Sequence, residues 1–116
     1  MGEIGPQRIW EGVSGRAVHG HQLTLAVVEL EPNSVIPEHR HANEQVGLLI
    51  AGSLSFRIGN ESRTLTVGAT WCIPANAPHE VRVSGDGAIV IEAFAPARRD
   101  WQTLVQLERS TPRWPA

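Results

Sequence analysis

Four side chains in this chain have the types and spacing of a metal site. His39, His41 and Gln45 stand two and four residues apart, and His79 follows 38 residues after His41. On a strand, alternate side chains point to opposite faces, so the first three share one face. Two imidazoles placed this way can set nitrogens around one point about 2 Å from a metal ion. The polar run Pro37 to Gln45 passes straight into Val46-Gly47-Leu48-Leu49-Ile50-Ala51, closed by Gly52. Polar groups entering a core need partners, and one ion satisfies several imidazoles at once. His79 follows Pro74-Ala75-Asn76-Ala77-Pro78, a rigid entry that can fix its direction. An isolated His-x-His pair is ordinarily two solvated histidines. The same-face Gln and the His after the Pro turn make the metal reading the stronger one here. Three neutral imidazoles and an amide oxygen suit nickel, zinc, iron or manganese, with positions left for water or substrate. No ligand in the set is negative, so the ion keeps its charge and favours an anionic ligand.

A second constellation is Glu92, Phe94 and Arg98. Glu92 and Phe94 share a strand face with Ala88 and Val90, the face expected to line a barrel interior. An acid on such a face needs a reason. One is catalytic: Arg98 holds a substrate carboxylate bidentately, Phe94 forms an apolar wall, and Glu92 moves a proton. The others are a structural Glu92–Arg98 ion pair, or a reversed register that exposes Glu92. His19-Gly20-His21 is another His-x-His, but nothing nearby completes a site, so it reads as a solvated turn. Cys72, beside Trp71, reads as a small buried residue. The four tryptophans could close barrel ends or lie between subunits.

These residues must be carried by strands. Eleven Gly and eight Pro punctuate short runs of Val, Leu, Ile and Ala, a pattern of many strands and turns. Weak strands fall within Ile9 to Gly20, followed by Leu23 to Leu30 and Val35 to His41. Gln45 to Ala51 has no polar alternation and so predicts a strand covered on both faces. After Gly52, Leu54, Phe56 and Ile58 alternate with Ser53, Ser55 and Arg57. Gly59-Asn60 turns the chain towards Glu61 to Leu65. Thr70 to Ile73, His79 to Val83 and Ala88 to Phe94 follow, with Ser84-Gly85-Asp86-Gly87 as a hairpin turn. Thr103 to Glu108 is a helical turn or a last strand, and residues 1–7 and Pro112 to Ala116 are loose ends. Roughly eight to ten short strands predict a sandwich or barrel.

With 116 residues and 41% hydrophobic composition, the expectation is one domain, residues 1–116, with its core at about 23–100. Ten basic and twelve acidic residues exclude the basic excess of a nucleic-acid binder. A single cysteine excludes an intramolecular disulfide and a Cys-x-x-Cys motif. No apolar run approaches the ~20 residues of a membrane span, and Met-Gly-Glu-Ile-Gly-Pro lacks the regions of a signal peptide. A cytoplasmic location without a membrane partner is the expectation. The segment from Ile9 to Val18 could pair with a second copy, which predicts a homodimer.

The His-x-His pair, the polar residue four beyond it and Gly47 to Gly52 resemble the first cupin motif. Gly68, Pro74 and His79 resemble the second. Asn76 stands where that motif has Gly, Val83 where it has Asn, and Gln45 where the third ligand is usually Glu. The resemblance spans roughly Leu23 to Phe94 and implies an all-β, antiparallel jelly-roll β-barrel. The run Glu92-Ala-Phe-Ala-Pro-Ala-Arg-Arg-Asp-Trp101 is similar to the closing segment of small cupins of the KdgF type, with Glu92 in place of their Asp. Those enzymes promote linearisation of unsaturated uronates from pectin and alginate. The resemblance implies a divalent transition metal held by His39, His41, Gln45 and His79, with Glu92, Phe94 and Arg98 as the catalytic and substrate-binding set. The expected function is a metal-dependent enzyme that opens or isomerises a small anionic, sugar-derived substrate. A metal-dependent dioxygenase and a non-catalytic metabolite-binding cupin are the alternatives.

Overall fold

Short apolar runs broken by Gly and Pro fold into eight strands in the computed structural model, which describes residues 6–104. They are β1 (Gln7–Trp10), β2 (Val13–His19), β3 (Thr24–Leu30), β4 (Val35–His39), β5 (Glu44–Ile58), β6 (Glu61–Leu65), β7 (Thr70–Ile73) and β8 (His79–Ala95). Every pairing among them is antiparallel. One layer runs β1, β2, β3, the second half of β8 and the first half of β5, with β7 beyond. The other runs β4, the first half of β8, the second half of β5 and β6. β5 and β8 pass through both, so the sheet folds over into a jelly-roll barrel. The core is what alternation puts inside: Val13, Ala26, Val28, Leu49, Leu54, Phe56, Val81, Val83 and Val90 are all buried.

Two expected turns are not turns. β5 continues through Gly52 and β8 continues through Ser84 to Gly87, giving strands of 15 and 17 residues. Here the two strands cross from one layer to the other, and the bend needs glycine. Gly52 and Gly87 have φ of 79° and 74°, a region that side chains disfavour. A Cβ on Gly52 would stand 1.9 Å from the Gly87 carbonyl oxygen. The register shifts on both sides of this crossing, with one extra residue on β5 at Leu49/Ala51 and the excess on β8 at Gly52/Leu54, so both strands bulge rather than reverse.

β5 is also not covered on both faces. Val46 and Leu48 are 44% and 36% exposed, while Gln45 and Leu49 face the interior. Its apolar run spans an inner core face and an outer face that also carries Val18 and Leu25 from neighbouring strands. Cys72 lies on β7 beside Val46 and is exposed, not buried. After β8, a 3-10 turn at Arg99–Thr103 begins earlier than the element expected at Thr103 to Glu108. The rest of that element lies outside the described residues, as do residues 1–5 and the Pro112 to Ala116 tail. No helix among the described residues is long and apolar enough to cross a membrane.

Candidate metal centre

β4 and β8 bring the first two histidines together from distant sequence positions. His39 at the end of β4 pairs directly with His79 at the start of β8, and their rings lie 4.2 Å apart between centroids. His41, just beyond β4, meets His79 edge-on at 4.9 Å. Nitrogens of all three rings lie within 4.8 Å of one another, a group that could hold a metal ion. Gln45, buried at the start of β5, points to the same place: its Oε1 is 3.0 Å from His41 Nε2.

The backbone sets which nitrogen of each ring is free. Nδ1 of His39 lies 2.8 Å from the Pro37 carbonyl oxygen, Nδ1 of His41 2.9 Å from that of Asn43, and Nδ1 of His79 2.9 Å from that of Ala77. A carbonyl oxygen only accepts, so each Nδ1 carries the proton and donates it. Each Nε2 is left with its lone pair. A metal-ligating histidine is held this way when its other ring N–H is taken by a backbone carbonyl, which fixes the ring's tautomer and direction. Burial favours the neutral form of two of these rings, His79 and His41. It holds His79 down at about 4, with the carbonyl of Ala77 opposing and the other histidines and Arg98 adding to the shift. His41 is lowered by burial first and Arg98 second.

The His41–Gln45 contact then sets two acceptors face to face. His41 Nε2 has only a lone pair. The Gln45 amide nitrogen is turned the other way, donating to Glu92 Oε2 in a close contact. Two acceptors 3.0 Å apart repel unless a cation lies against both. The residues present therefore fit a divalent metal: three fixed Nε2 lone pairs and an amide oxygen aimed among them.

Glu92 reaches Gln45 across the sheet. Gln45 pairs with Phe94 and Gly47 with Glu92, so Gln45 and Glu92 are diagonal neighbours on the inner face. Gly47 leaves room for Trp71 to cross it, since a Cβ there would meet the indole at 2.3 Å. Burial pushes the Glu92 carboxyl up to about 7, with the Gln45 hydrogen bond and the Arg98 charge opposing. The Glu92–Arg98 ion pair that the sequence allows does not form. The Arg98 fork is filled by Asp100 instead, Nε to Oδ1 at 3.1 Å and Nη2 to Oδ2 at 2.9 Å.

The cupin-domain family model matches residues 26–93, which include all four metal-site residues and Glu92. The chain belongs to the cupin family. It is 28% identical over 80 residues to the pectin degradation protein KdgF of Dickeya dadantii, covering 68% of this chain and 73% of that one. It is 30% identical over 60 residues to the H2HPP isomerase of Bacillus subtilis, covering 51% of this chain. The match spans only 25% of that isomerase. The solved structure of KdgF from Halomonas sp. superposes with a TM-score of 0.76 at 22% identity, over 86% of this chain and 98% of that one. At that identity the likeness establishes the cupin fold.

In this cupin all seven candidate residues line one cavity of about 200 Å³. Phe94 stands edge-on to His41 at 5.9 Å. The Arg98 guanidinium lies 4.9 Å from the Phe94 ring and 4.6 Å from the Trp101 ring. Trp10 and Asp100 are the exposed members of the lining and mark its mouth. Three of the residues that shape the site were given no role at it by the sequence, although Asp100 and Trp101 end the run that begins at Glu92. Thr24, fully buried, accepts the Arg98 backbone N–H at 2.8 Å, and its hydroxyl meets His19 Nδ1 at 2.7 Å. His19 is thus tethered rather than solvated. Trp101 meets Phe94 edge-on at 4.9 Å, with the Arg98 guanidinium over both rings. Asp100 was visible only as the acid two residues after Arg98.

Proposed function

We propose that this cupin is a metal-dependent enzyme that opens the ring of, or isomerises, a small anionic sugar-derived substrate, of the kind an unsaturated uronate represents. One observation carries the reading. Gln45 joins the histidine cluster to Glu92, so a group that can exchange a proton near neutral pH sits directly against one of the metal ligands. The family relative named for pectin degradation supports the substrate class.

In this reading His39, His41, His79 and Gln45 hold a divalent transition metal. Bound there, the ion supplies a Lewis acid that polarises a carbonyl or hydroxyl oxygen. Arg98 binds the substrate carboxylate in its planar fork and orients the ring. Phe94 walls the cavity and keeps water from the reacting face. Glu92 takes the proton from the anomeric hydroxyl as the bond between anomeric carbon and ring oxygen breaks, and returns it to that oxygen. The product is the open-chain aldehyde, with no change of oxidation state. A carboxyl near pH 7 is suited to both halves of this transfer.

Edge strand β1 and the exposed Val18, Leu25, Val46 and Leu48 support a homodimer, which light scattering on the purified protein tests.

The activity test follows the cyclic anomeric resonances of an unsaturated uronate monomer by proton NMR, against its spontaneous ring opening. The wild type accelerates their loss in a metal-dependent way, and Glu92→Gln does not while keeping its metal. Full activity in Glu92→Gln contradicts the role of Glu92. Oxygen uptake by the iron-loaded protein in place of ring opening contradicts the reaction class.

A further inference from the structure

We propose that Asp100 is an internal stand-in for the substrate carboxylate, occupying the Arg98 fork until an incoming carboxylate takes its place and so setting how strongly the site binds anions. The inference rests on the reading that Arg98 binds substrate, and it explains why a residue given that task already has a bidentate partner.

The two halves of this pair are held very differently. The Arg98 side chain is 12% exposed, whereas that of Asp100 is 64% exposed. The guanidinium lies against Phe94 and Trp101, and its backbone N–H is fixed by buried Thr24. Arg98 therefore cannot follow a departing anion into water. Asp100 can, because most of its carboxylate is already hydrated and little solvation has to be regained. The exchange leaves Arg98 neutralised at each end point, which matters for a cation so nearly enclosed. It also keeps the fork geometry, since one planar carboxylate replaces another.

The position of Asp100 fits this task. It lies at the cavity mouth, on the path from solvent to the histidine cluster. Arg98 is also what holds its carboxyl below the usual range, so it stays an anion across the working pH range. The arrangement selects by class. A ligand with a carboxylate can exchange with Asp100, whereas a neutral sugar offers Arg98 nothing to replace it and meets a fork already filled.

The experiment follows the Arg98 Nε–H resonance in nitrogen-15 NMR while sodium acetate replaces chloride at constant ionic strength, in metal-free protein. Wild type, Asp100→Asn and Asp86→Asn are compared, the last removing one exposed negative charge away from the cavity. The proposal expects acetate to move the Arg98 resonance in all three. Asp100→Asn should reach the same end point at about threefold to fivefold less acetate, the scale of an ion pair with one solvated partner. Asp86→Asn should match the wild type, and Asp100→Glu, which restores the anion, should return the midpoint towards it. In turnover assays Asp100→Asn should lower KM for an anionic substrate, and Asp100→Glu should bring it back towards the wild type. An equal or higher acetate midpoint in Asp100→Asn overturns the proposal, because Asp100 would then only hold Arg98 in place. An Arg98 resonance that ignores acetate in every variant overturns it too. If acetate behaves as expected but no uronate is opened, the stand-in role survives and the proposed reaction fails.

Discussion

The histidine wall and the arginine wall line the same cavity but are built by different means. On the histidine wall, β4, the residue two beyond its end, β5 and β8 supply the side chains, and one backbone carbonyl fixes each of the three rings. Each of those carbonyls lies within two residues of the histidine it holds, so the partner is fixed by the local chain path. On the arginine wall, Arg98 follows the end of β8 and precedes a 3-10 turn, and its fork is filled by a largely solvated carboxylate. The first wall is made rigid by ladder geometry and the second is made exchangeable by exposure. A metal needs the former, because its ligands must converge within tenths of an ångström. A substrate that must enter and leave suits the latter.

The largest expected effect strikes the rigid wall. His79→Ala removes a fully enclosed ligand and should lower metal affinity by more than the ~10–100-fold typical of losing an outer-shell partner. Elemental analysis after dialysis checks it, and metal retained at the wild-type level would break the contrast. Next comes Glu92→Gln, which stands between the walls. It should cut kcat by about 10²–10⁴-fold, the range for a general acid/base, with metal content unchanged.

The two walls also differed in how far sequence could read them. Period two on a strand picked out His39, His41 and Gln45, and the Pro-bounded entry picked out His79, but the three do not share a strand: β4 ends at His39, β5 starts at Glu44, and the connection between them carries His41 back towards Gln45. The barrel was legible from the alternation along its strands. What escaped were features set by chain path. Gly52 and Gly87 have the chemistry of turns, yet they serve as bends in strands that cross between layers. The outer exposure of Val46 and Leu48 could not be told from burial by composition, since both faces of that run are apolar. Thr24 precedes Arg98 by 74 residues, and only the folded barrel brings its hydroxyl to that backbone N–H. Asp100 could be seen but not placed, because the course of the chain after Pro96 has no periodicity.

Thr24→Val tests the arginine wall alone. It leaves the Arg98 N–H without its buried acceptor, so stability should fall by about 1–3 kcal/mol and KM for an anionic substrate should rise. Metal content should not change, and a loss of metal would mean the walls are not independent.

The effect of pH on the metal-free protein probes both walls at once. Burial lowers His79 from 6.5 to about 4, so its contribution to stability is full above pH 6.5 and is lost as pH falls through about 4. Burial raises Glu92 from 4.5 to about 7, so its contribution is full below pH 4.5 and is lost as pH rises through about 7. Urea midpoints measured across this range should therefore fall less between pH 5 and pH 8 in Glu92→Gln than in the wild type. Identical profiles would place Glu92 in water rather than in the cavity.

The most direct test of the central claim, that His39, His41, His79 and Gln45 form one metal centre, is elemental analysis of protein purified without added metal. Wild type, His79→Ala and His19→Ala should be compared, the last altering the other His-x-His pair. The account predicts about one divalent transition metal per chain in the wild type and in His19→Ala, and almost none in His79→Ala. A wild type that carries no metal and takes up none on reconstitution, or a metal lost with His19 and kept without His79, would contradict it.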